Sequence, residues 1–262
     1  MSDVTTTPVE TPIDVAYPDS PDLHLRLSVG ACRLRVRPGK RDTWITGLYT
    51  DPSGKLPCHV LEDGGSVRIK QGDNVLDYLN AIGKFPTFDL ALGTGRPFRL
   101  TVEVGASENL FELGGVPLTR LSFSTGAGKT ELDFSAPNPE SMTMLEIAAG
   151  AASVDVRNLA NANFAEMKLE GGAAGYKVDF GGALRRDANV KISAGVAGVE
   201  VIIPAETAAK ITPESMLAGL NADPGFVRRD GTLWSPAAMS GGTPVLTIST
   251  SLALGGLTLR IG

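Results

Sequence analysis

The sequence has few of the residues that most often carry out chemistry in proteins. Its 262 residues include two cysteines, Cys32 and Cys58, and two histidines, His24 and His59. Two cysteines are too few for a disulfide framework. Both stand in strand-like segments and are interpreted as small buried hydrophobic residues, although a single disulfide between them stays open. The four residues lack the close ligand spacings of metal sites, so we predict no metal, no cofactor and no catalytic residue.

Long apolar runs, a signal sequence and a basic cluster are also missing. Because no run of about 18 apolar residues exists, no segment is expected to span a bilayer. Residues 1–20 lack the positive start and the apolar stretch of a secretory signal. The net charge is −5 and basic residues are not clustered with aromatics, so neither nucleic acid nor a membrane surface is an expected partner. The expected location is the cytoplasm, with membrane association only through a partner.

Glycine, by contrast, is abundant, with 31 residues, and part of it belongs to a repeat. Four copies fit the pattern apolar-x-apolar-x-x-Gly-x-x-x-apolar-x-apolar, and their glycines, Gly126, Gly150, Gly172 and Gly195, are 24, 22 and 23 residues apart. Apolar residues at alternate positions predict strands with one buried face. The two apolar pairs of a copy are an odd number of residues apart, which would put them on opposite faces of a straight strand. The chain is therefore predicted to turn at each glycine, where neighbouring segments can approach closely.

Less regular copies extend the repeat in both directions. A complete copy surrounds Gly30, and residues 100–105 match the first half of the pattern. After that half copy, the segment SENLFEL is predicted to run out of register. Near the end of the chain, residues 246–248 match again, and the second apolar pair, at 257–259, is predicted to arrive two residues late. Irregular terminal units are typical of repeat proteins, whose end units cap the stack.

Two architectures are compatible with this pattern. In a parallel β-solenoid each copy is one coil of 22–24 residues, and in an antiparallel β-meander or sandwich each copy is a hairpin. The 11–13 residues between copies favour the solenoid, since that link must hold a return path. Five residues after the repeat glycines stand Glu131, Asp155, Lys177 and Glu200. On stacked coils these residues are predicted to form an outward column with mostly alternating charge.

The chain divides by composition into three parts. Residues 1–20 are predicted to be a disordered tail, residues 21–98 an N-terminal β-rich domain, and residues 99–262 the β-solenoid domain. Within them, residues 73–84 predict one short helix, and residues 212–219, with Pro213 at the first helical position, predict one or two helical turns. Asp230–Gly231 predicts a β-hairpin.

The second half of the chain resembles a known family. The glycine repeats are followed by the hairpin GTLWSP and the closing strands LTISTSLALGGLTLRI. This succession, over residues 99–262, resembles the toast-rack domain of bacterial proteins of the cell wall-active antibiotics response type, which is related to adhesin-like domains of β-helical shape. Residues 21–98 would then match the domain that often precedes it. The resemblance implies a β-helical fold and supplies no catalytic residues.

Two glycine-rich stretches resemble nucleotide-binding loops without matching them. TGAGKT, residues 125–130, has Phe123 where a phosphate-binding loop needs a glycine six residues before Lys129, and it leads into a strand rather than a helix. GTGRPF, residues 93–98, has Phe98 in place of the last glycine of the dinucleotide fingerprint. We predict that neither stretch binds a nucleotide.

Three functions from different classes remain. The favoured one is a non-enzymatic structural or protein-interaction module, which the resemblance links to bacterial envelope-stress sensing through a membrane-associated or signalling partner. The second is a carbohydrate-binding or carbohydrate-active β-helix using Glu131, Asp155 and Glu200, although two tryptophans and four tyrosines offer few aromatic platforms. The third is a self-assembling scaffold, since the ends of a solenoid expose strand edges. The oligomeric state stays open, and we predict that the chain is not an enzyme.

Overall fold

The computed structural model describes residues 8–72 and 85–262, which form β-strands over most of their length. The helix predicted over residues 73–84 lies outside the described residues. Within the described part, no helix is long and apolar enough to span a membrane. The elements are β1 (Val9–Val15), β2 (His24–Val29), β3 (Cys32–Pro38), β4 (Ile45–Asp51), β5 (Cys58–Asp63), β6 (Ser66–Gln71), β7 (Thr87–Leu92), β8 (Phe98–Glu112), β9 (Leu118–Asp133), β10 (Met142–Arg157), a 3₁₀ helix (Leu159–Ala162), β11 (Phe164–Asp179), β12 (Ala188–Ile203), β13 (Ala208–Ala222), β14 (Val227–Arg229), β15 (Thr232–Trp234), α1 (Pro236–Met239) and β16 (Val245–Ile261).

One large, open sheet of mixed direction contains these strands. Its middle consists of β8, β9, β10, β11, β12 and β16, each paired in parallel with the next. At the margins, β1 with β4, β5 with β6 and β14 with β15 pair antiparallel. Equivalent repeat positions are lateral neighbours, as for Ile147 of β10 between Phe123 of β9 and Leu169 of β11. The all-β expectation is confirmed, and the repeat copies lie side by side in parallel.

Strands of the repeat change face at their repeat glycines, as β10 and β12 show. In β10, buried and more exposed residues alternate from Leu145 to Ala149, but Gly150 and Ala151 are both exposed, and alternation resumes from Ala152. The same break occurs in β12 at residues 195–196. This pattern confirms the prediction that the chain turns at the glycine so that both apolar pairs stay buried.

The repeat glycines themselves form a column in which successive backbones almost touch. A Cβ atom built on Gly150 would lie 2.5 Å from the carbonyl oxygen of Gly126, and one built on Gly172 would lie 3.1 Å from that of Gly150. A Cβ atom on Gly195 would lie 3.3 Å from the carbonyl oxygen of Gly172. The side chain is missing at these positions because the next corner occupies its space, most strictly at Gly150.

Buried asparagines join the return links between the long strands. Asn138, in the link from β9 to β10, donates its amide to the carbonyl oxygens of Leu118, at 2.8 Å, and Ala162, at 3.1 Å. Asn161, in the 3₁₀ helix, donates to the carbonyl oxygen of Phe134 at 2.8 Å. These bonds satisfy backbone groups that the links would otherwise bury without a partner.

The first repeat copy is divided between β2 and β3, which both pair with β8. The second half of β8 stays in register, so the prediction for SENLFEL is wrong. Phe111 lies beside Val36, and Asn109 occupies the buried position beside Thr130. A polar residue is tolerated there because the Asn109 amide donates to the Thr130 hydroxyl at 3.0 Å.

Part of the N-terminal segment is ordered. Val9–Val15 lies within residues 1–20, for which disorder was predicted, and pairs antiparallel with β4. Ile13 and Val15 are buried in this arrangement. The prediction is wrong for this strand because its partner is distant in sequence and local composition does not reveal the pairing. The division into domains at residues 20 and 98 stays a prediction.

The last strand of the chain does not take the last place in the sheet. β16 lies between β12 and β13, with Ile248 beside Val190 and Leu257 beside Val199. The closing copy is therefore in register throughout, and the predicted delay of two residues is wrong. Thr250, which is fully buried, occupies the second inward position in place of an apolar residue.

Two local predictions near the C-terminus have different outcomes. Residues 212–219 belong to β13, so the predicted helical turns are wrong. Parallel pairing with β16 overrides the local signal, and the register shifts just after Pro213. The hairpin is confirmed, since β14 and β15 pair antiparallel around Asp230 and Gly231, whose φ angles are 47° and 81°.

Candidate functional site

The outward column predicted from the repeat is present. Glu131, Asp155, Lys177 and Glu200 are lateral neighbours on β9, β10, β11 and β12. Because paired strands are spaced at about 4.8 Å, neighbouring side chains lie within reach of one another. Lys177 thus stands between two carboxylates. We call this set of four residues the charged column.

The first carboxylate of the charged column belongs to an ion-pair network. Glu131 is 2.6 Å from Lys129 Nζ and 2.8 Å from Arg157 Nη2. The hydrogen bond from Lys129 outweighs the opposing effect of burial and lowers the pKa of Glu131 below its usual value. The general acid of a glycosidase needs a raised pKa instead. Glu131 is therefore poorly suited to the catalytic role that a carbohydrate-active enzyme would require.

The remaining carboxylates differ in their partners. Glu200 pairs with Arg260 at 3.0 Å. Asp155 has a buried Oδ1 atom without a hydrogen-bond donor in the described part of the chain. Lys177, which lies beside both, is exposed. The charged column thus presents one exposed cation flanked by two partly buried carboxylates.

A shallow groove of about 500 Å³ runs beside the charged column. Four glycines from adjacent strands are lateral neighbours, Gly175, Gly198, Gly256 and Gly219, and the first three line the groove. A Cβ atom on Gly175, Gly198 or Gly219 would meet nothing within 4 Å. These glycines are therefore not required by packing inside the chain. Their effect is to leave a strip of sheet backbone uncovered next to the charges.

The TGAGKT stretch lies inside β9. Its Gly126 is a member of the glycine column, and Lys129 points outward to Glu131. The strand continues to Asp133, so the geometry of a phosphate-binding loop followed by a helix does not occur here. The prediction that this stretch is structural fits its position.

The GTGRPF stretch anchors the segment that follows β1. The backbone N–H of Gly95 donates to the Tyr17 hydroxyl at 3.0 Å, and Arg96 donates to the carbonyl oxygens of Pro18, at 2.7 Å, and Ser20. The Arg96 guanidinium also lies 5.8 Å from the centre of the Tyr17 ring, within cation–π range. These contacts give the stretch a structural role.

The cysteines and histidines lie on several strands. Both cysteines are free thiols; Cys32 is buried and Cys58 partly buried. Burial raises the pKa of Cys32 to about 12 and that of Cys58 to about 11. His24 Nε2 lies 2.9 Å from the Thr101 hydroxyl, and His59 of β5 lies beside β6. Among residues 8–72 and 85–262, no three His, Cys, Asp or Glu side chains are grouped so that they could hold a metal ion.

Sequence reasoning missed the row of outward glycines. Gly175 and Gly198 each stand three residues after a repeat glycine, so a signal was present. Position alone does not distinguish it, because any glycine near a corner can be explained by the turn. The place of Gly256 and Gly219 in the same row depends on the insertion of β16, which the order of the repeats does not predict.

These features define an all-β repeat protein with a charged and glycine-lined outer surface. Residues 5–157 match the family described as the N-terminal domain of toast_rack, DUF2154. The chain belongs to this family, which confirms the resemblance recognised in the sequence. No curated protein sequence matches the chain.

Several solved structures are similar over almost the whole chain. A candidate cell adhesion protein from Clostridium sporogenes is 14% identical, with a TM-score of 0.48, and the match covers 98% of this chain and 100% of the other. A candidate lipid-binding protein from Parabacteroides distasonis is 11% identical, with a TM-score of 0.35 and 96% of each chain covered. A candidate adhesin from Bacteroides fragilis is 7% identical, with a TM-score of 0.32 and 97% of each chain covered.

Proposed function

We propose that the chain is a non-enzymatic interaction module that binds a protein partner through the charged column and the adjoining groove. In this proposal the parallel strands are the coils of a β-solenoid, which holds the outer residues at fixed spacing. The parallel register of the repeat copies and the change of face at each glycine support the solenoid.

One observation carries the proposal more than any other. Gly175, Gly198, Gly256 and Gly219, which we call the glycine row, lie beside the charged column, and packing within the chain does not explain them. A strip of sheet without side chains next to fixed charges suits a protein segment, which can approach the sheet closely there and form salt bridges with the charged column. Val196 and Leu254 are exposed lateral neighbours at the nearby corner and add apolar area.

The groove offers less to a carbohydrate. Sugar-binding sites commonly use exposed aromatic rings as platforms. Of the residues that line the groove, Tyr176 is aromatic, and its side chain is buried. Together with the lowered pKa of Glu131, this tells against a carbohydrate-active protein.

The proposed biological setting is bacterial envelope-stress sensing or regulation, with a membrane-associated or signalling protein as partner, and it is supported by membership of the toast-rack family. We place the chain in the cytoplasm as part of the same proposal.

An affinity capture from the native bacterium tests the proposed surface. Changing Asp155→Lys and Glu200→Lys together should abolish capture of the partner. The matched control is Glu170→Lys with Glu206→Lys, which makes the same change of charge at exposed carboxylates outside the groove. Equal capture by both double variants would contradict the proposed surface. Hydrolysis of a polysaccharide that is lost on Glu131→Gln would replace the proposal with an enzyme.

A further inference from the structure

A second group of charges lies on the outer side of β2, β6 and β8. Arg26 of β2 and Arg68 of β6 are direct lateral neighbours. In the next row, His24 of β2 stands between Ser66 of β6 and Arg99 of β8. Three arginines and a histidine are thus placed on adjoining positions of three neighbouring strands.

The two central arginines have little compensation within the described chain. Like charges that are directly opposite on paired strands destabilise a sheet. The carboxylate nearest to Arg26 is Glu103, at 3.9 Å, and that carboxylate also accepts a hydrogen bond from Ser28 at 2.9 Å. Arg68 donates to the neutral Ser28 hydroxyl at 3.3 Å. The Nε atom of Arg26 is buried and has no acceptor among the described residues.

The neighbouring row, which contains His24 and Arg99, also has an excess of positive charge. Arg99 pairs with Asp22 at 2.6 Å, yet its Nε atom is also buried without an acceptor in the described residues. Burial, and then the charges of Arg99 and Arg26, lower the pKa of His24, while Asp22 opposes them. His24 is therefore neutral at pH 7 and offers a hydrogen bond rather than a charge.

Arg26, Arg68 and His24 line a small open cavity of about 220 Å³. A water molecule takes up about 30 Å³ of liquid volume, so the cavity has room for an anion with several oxygens. Its acidic member, Asp63, lies on β5 beside Ser66, and not beside the arginine pair. The lining residues are His24, Arg26, Leu61, Asp63, Ser66, Val67 and Arg68.

We infer that Arg26 and Arg68 bind a phosphate group in this cavity, with His24 and Ser66 as further hydrogen-bonding groups. A planar guanidinium donates two parallel hydrogen bonds to a phosphate, and two neighbouring guanidinium groups lose their mutual repulsion when an anion lies between them. The phosphate could belong to the headgroup of an anionic lipid or to a soluble phosphate compound, since the chemistry recognised is the same.

A second like-charged pair on the same sheet serves as a control. Lys168 and Lys191 are lateral neighbours on β11 and β12. Glu146 lies on the other side of Lys168, so this pair has a carboxylate beside it. Lysine also lacks the forked geometry of arginine. We therefore expect this pair to bind phosphate weakly or not at all.

Calorimetric titration with inorganic phosphate at low ionic strength tests the site. The wild-type chain should bind, and Arg26→Gln and Arg68→Gln should each weaken binding about tenfold or more, as for the loss of a charge-assisted hydrogen bond. Lys168→Gln with Lys191→Gln should bind like the wild type. Absence of binding to the wild-type chain, or equal binding by all variants, would overturn the inference.

Two further measurements make the result specific. In an NMR titration of the wild-type chain, phosphate should raise the pKa of His24, which a loss of folding in a variant would not reproduce. Vesicles of phosphatidylglycerol and phosphatidylcholine distinguish the sources. Binding that exceeds binding to pure phosphatidylcholine and depends on Arg26 and Arg68 indicates a lipid headgroup. Binding of inorganic phosphate without binding of these vesicles indicates a soluble ligand.

Discussion

The glycine column gives the sharpest test of how the repeat determines the structure. In the variant Gly150→Ala, the new Cβ atom would lie 2.5 Å from the carbonyl oxygen of Gly126, so a backbone must move. Overpacking of this kind costs about 1–3 kcal/mol. Replacing glycine by alanine recovers about 0.4–1 kcal/mol by restricting the unfolded chain. The expected net result is a loss of about 1–2 kcal/mol in the free energy of unfolding.

A matched variant removes the ambiguity of that measurement. Gly198→Ala makes the same chemical change, but its Cβ atom would meet nothing within 4 Å, and it should be neutral or stabilise the chain by about 0.4–1 kcal/mol. Gly195→Ala, with 3.3 Å to the next carbonyl oxygen, should fall between the two. Urea denaturation of the three variants measures the series. Equal stability of Gly150→Ala and Gly198→Ala would refute the explanation of the repeat by close approach at the corners.

Three further predictions concern buried groups and the loop-like stretch of β9. Thr250→Val should stabilise the chain by about 1 kcal/mol because the buried Thr250 hydroxyl has no partner among the described residues. Thr130→Val should destabilise the chain by about 1 kcal/mol because the Thr130 hydroxyl accepts a hydrogen bond from Asn109. Changes of the same sign in the free energy of unfolding, measured by urea denaturation, would contradict this prediction. Cys32 and Cys58, with pKa values of about 12 and about 11, should react with a disulfide reagent at pH 8 far more slowly when folded than in urea, and equal rates would refute their burial. Since an unfolded thiol has a pKa of 9.0, their contribution to stability is complete below pH 9 and is lost as the pH rises towards the folded values. Labelled ATP with magnesium should not bind, and micromolar binding that is lost on Lys129→Ala would overturn the structural role of TGAGKT.

The sequence predicted those features that depend on residues one repeat apart. The register of Asp155 with Lys177 and the turn at Gly150 follow from periodicity, because equivalent positions of successive copies become neighbours. The burial of Ile13 and the pairing of its strand did not follow, since the partner strand β4 is not part of the repeat. Asn109 does not fit a pattern that requires apolar residues at inward positions, whereas a buried amide that donates to a hydroxyl of the neighbouring strand can also fill such a position.

The candidate surface was predictable in part for the same reason. The charged column lies on consecutive copies, so its members could be aligned from the sequence. The phosphate cavity joins β6 to β2 and β8, and the pairing of Arg68 with Arg26 arises outside the consecutive copies. Local patterns in β6 show a strand with alternating burial but do not identify the strand that lies beside it.

Two strands near the margins of the sheet bear on the proposal that the chain assembles into a scaffold. Insertion of β16 leaves β13 outside it; β13 pairs with β15 at Lys210 and Ile211 and has register shifts after Pro213 and after Met216. Proline lacks the N–H needed to pair with another strand, and bulges turn an edge away from regular pairing. At the opposite end, β1 contains Pro12. β13 and β1 therefore carry features that natural proteins use to prevent edge-to-edge association. Binding through the face of the sheet, where the charged column and the glycine row lie, is accordingly better supported than growth from its ends.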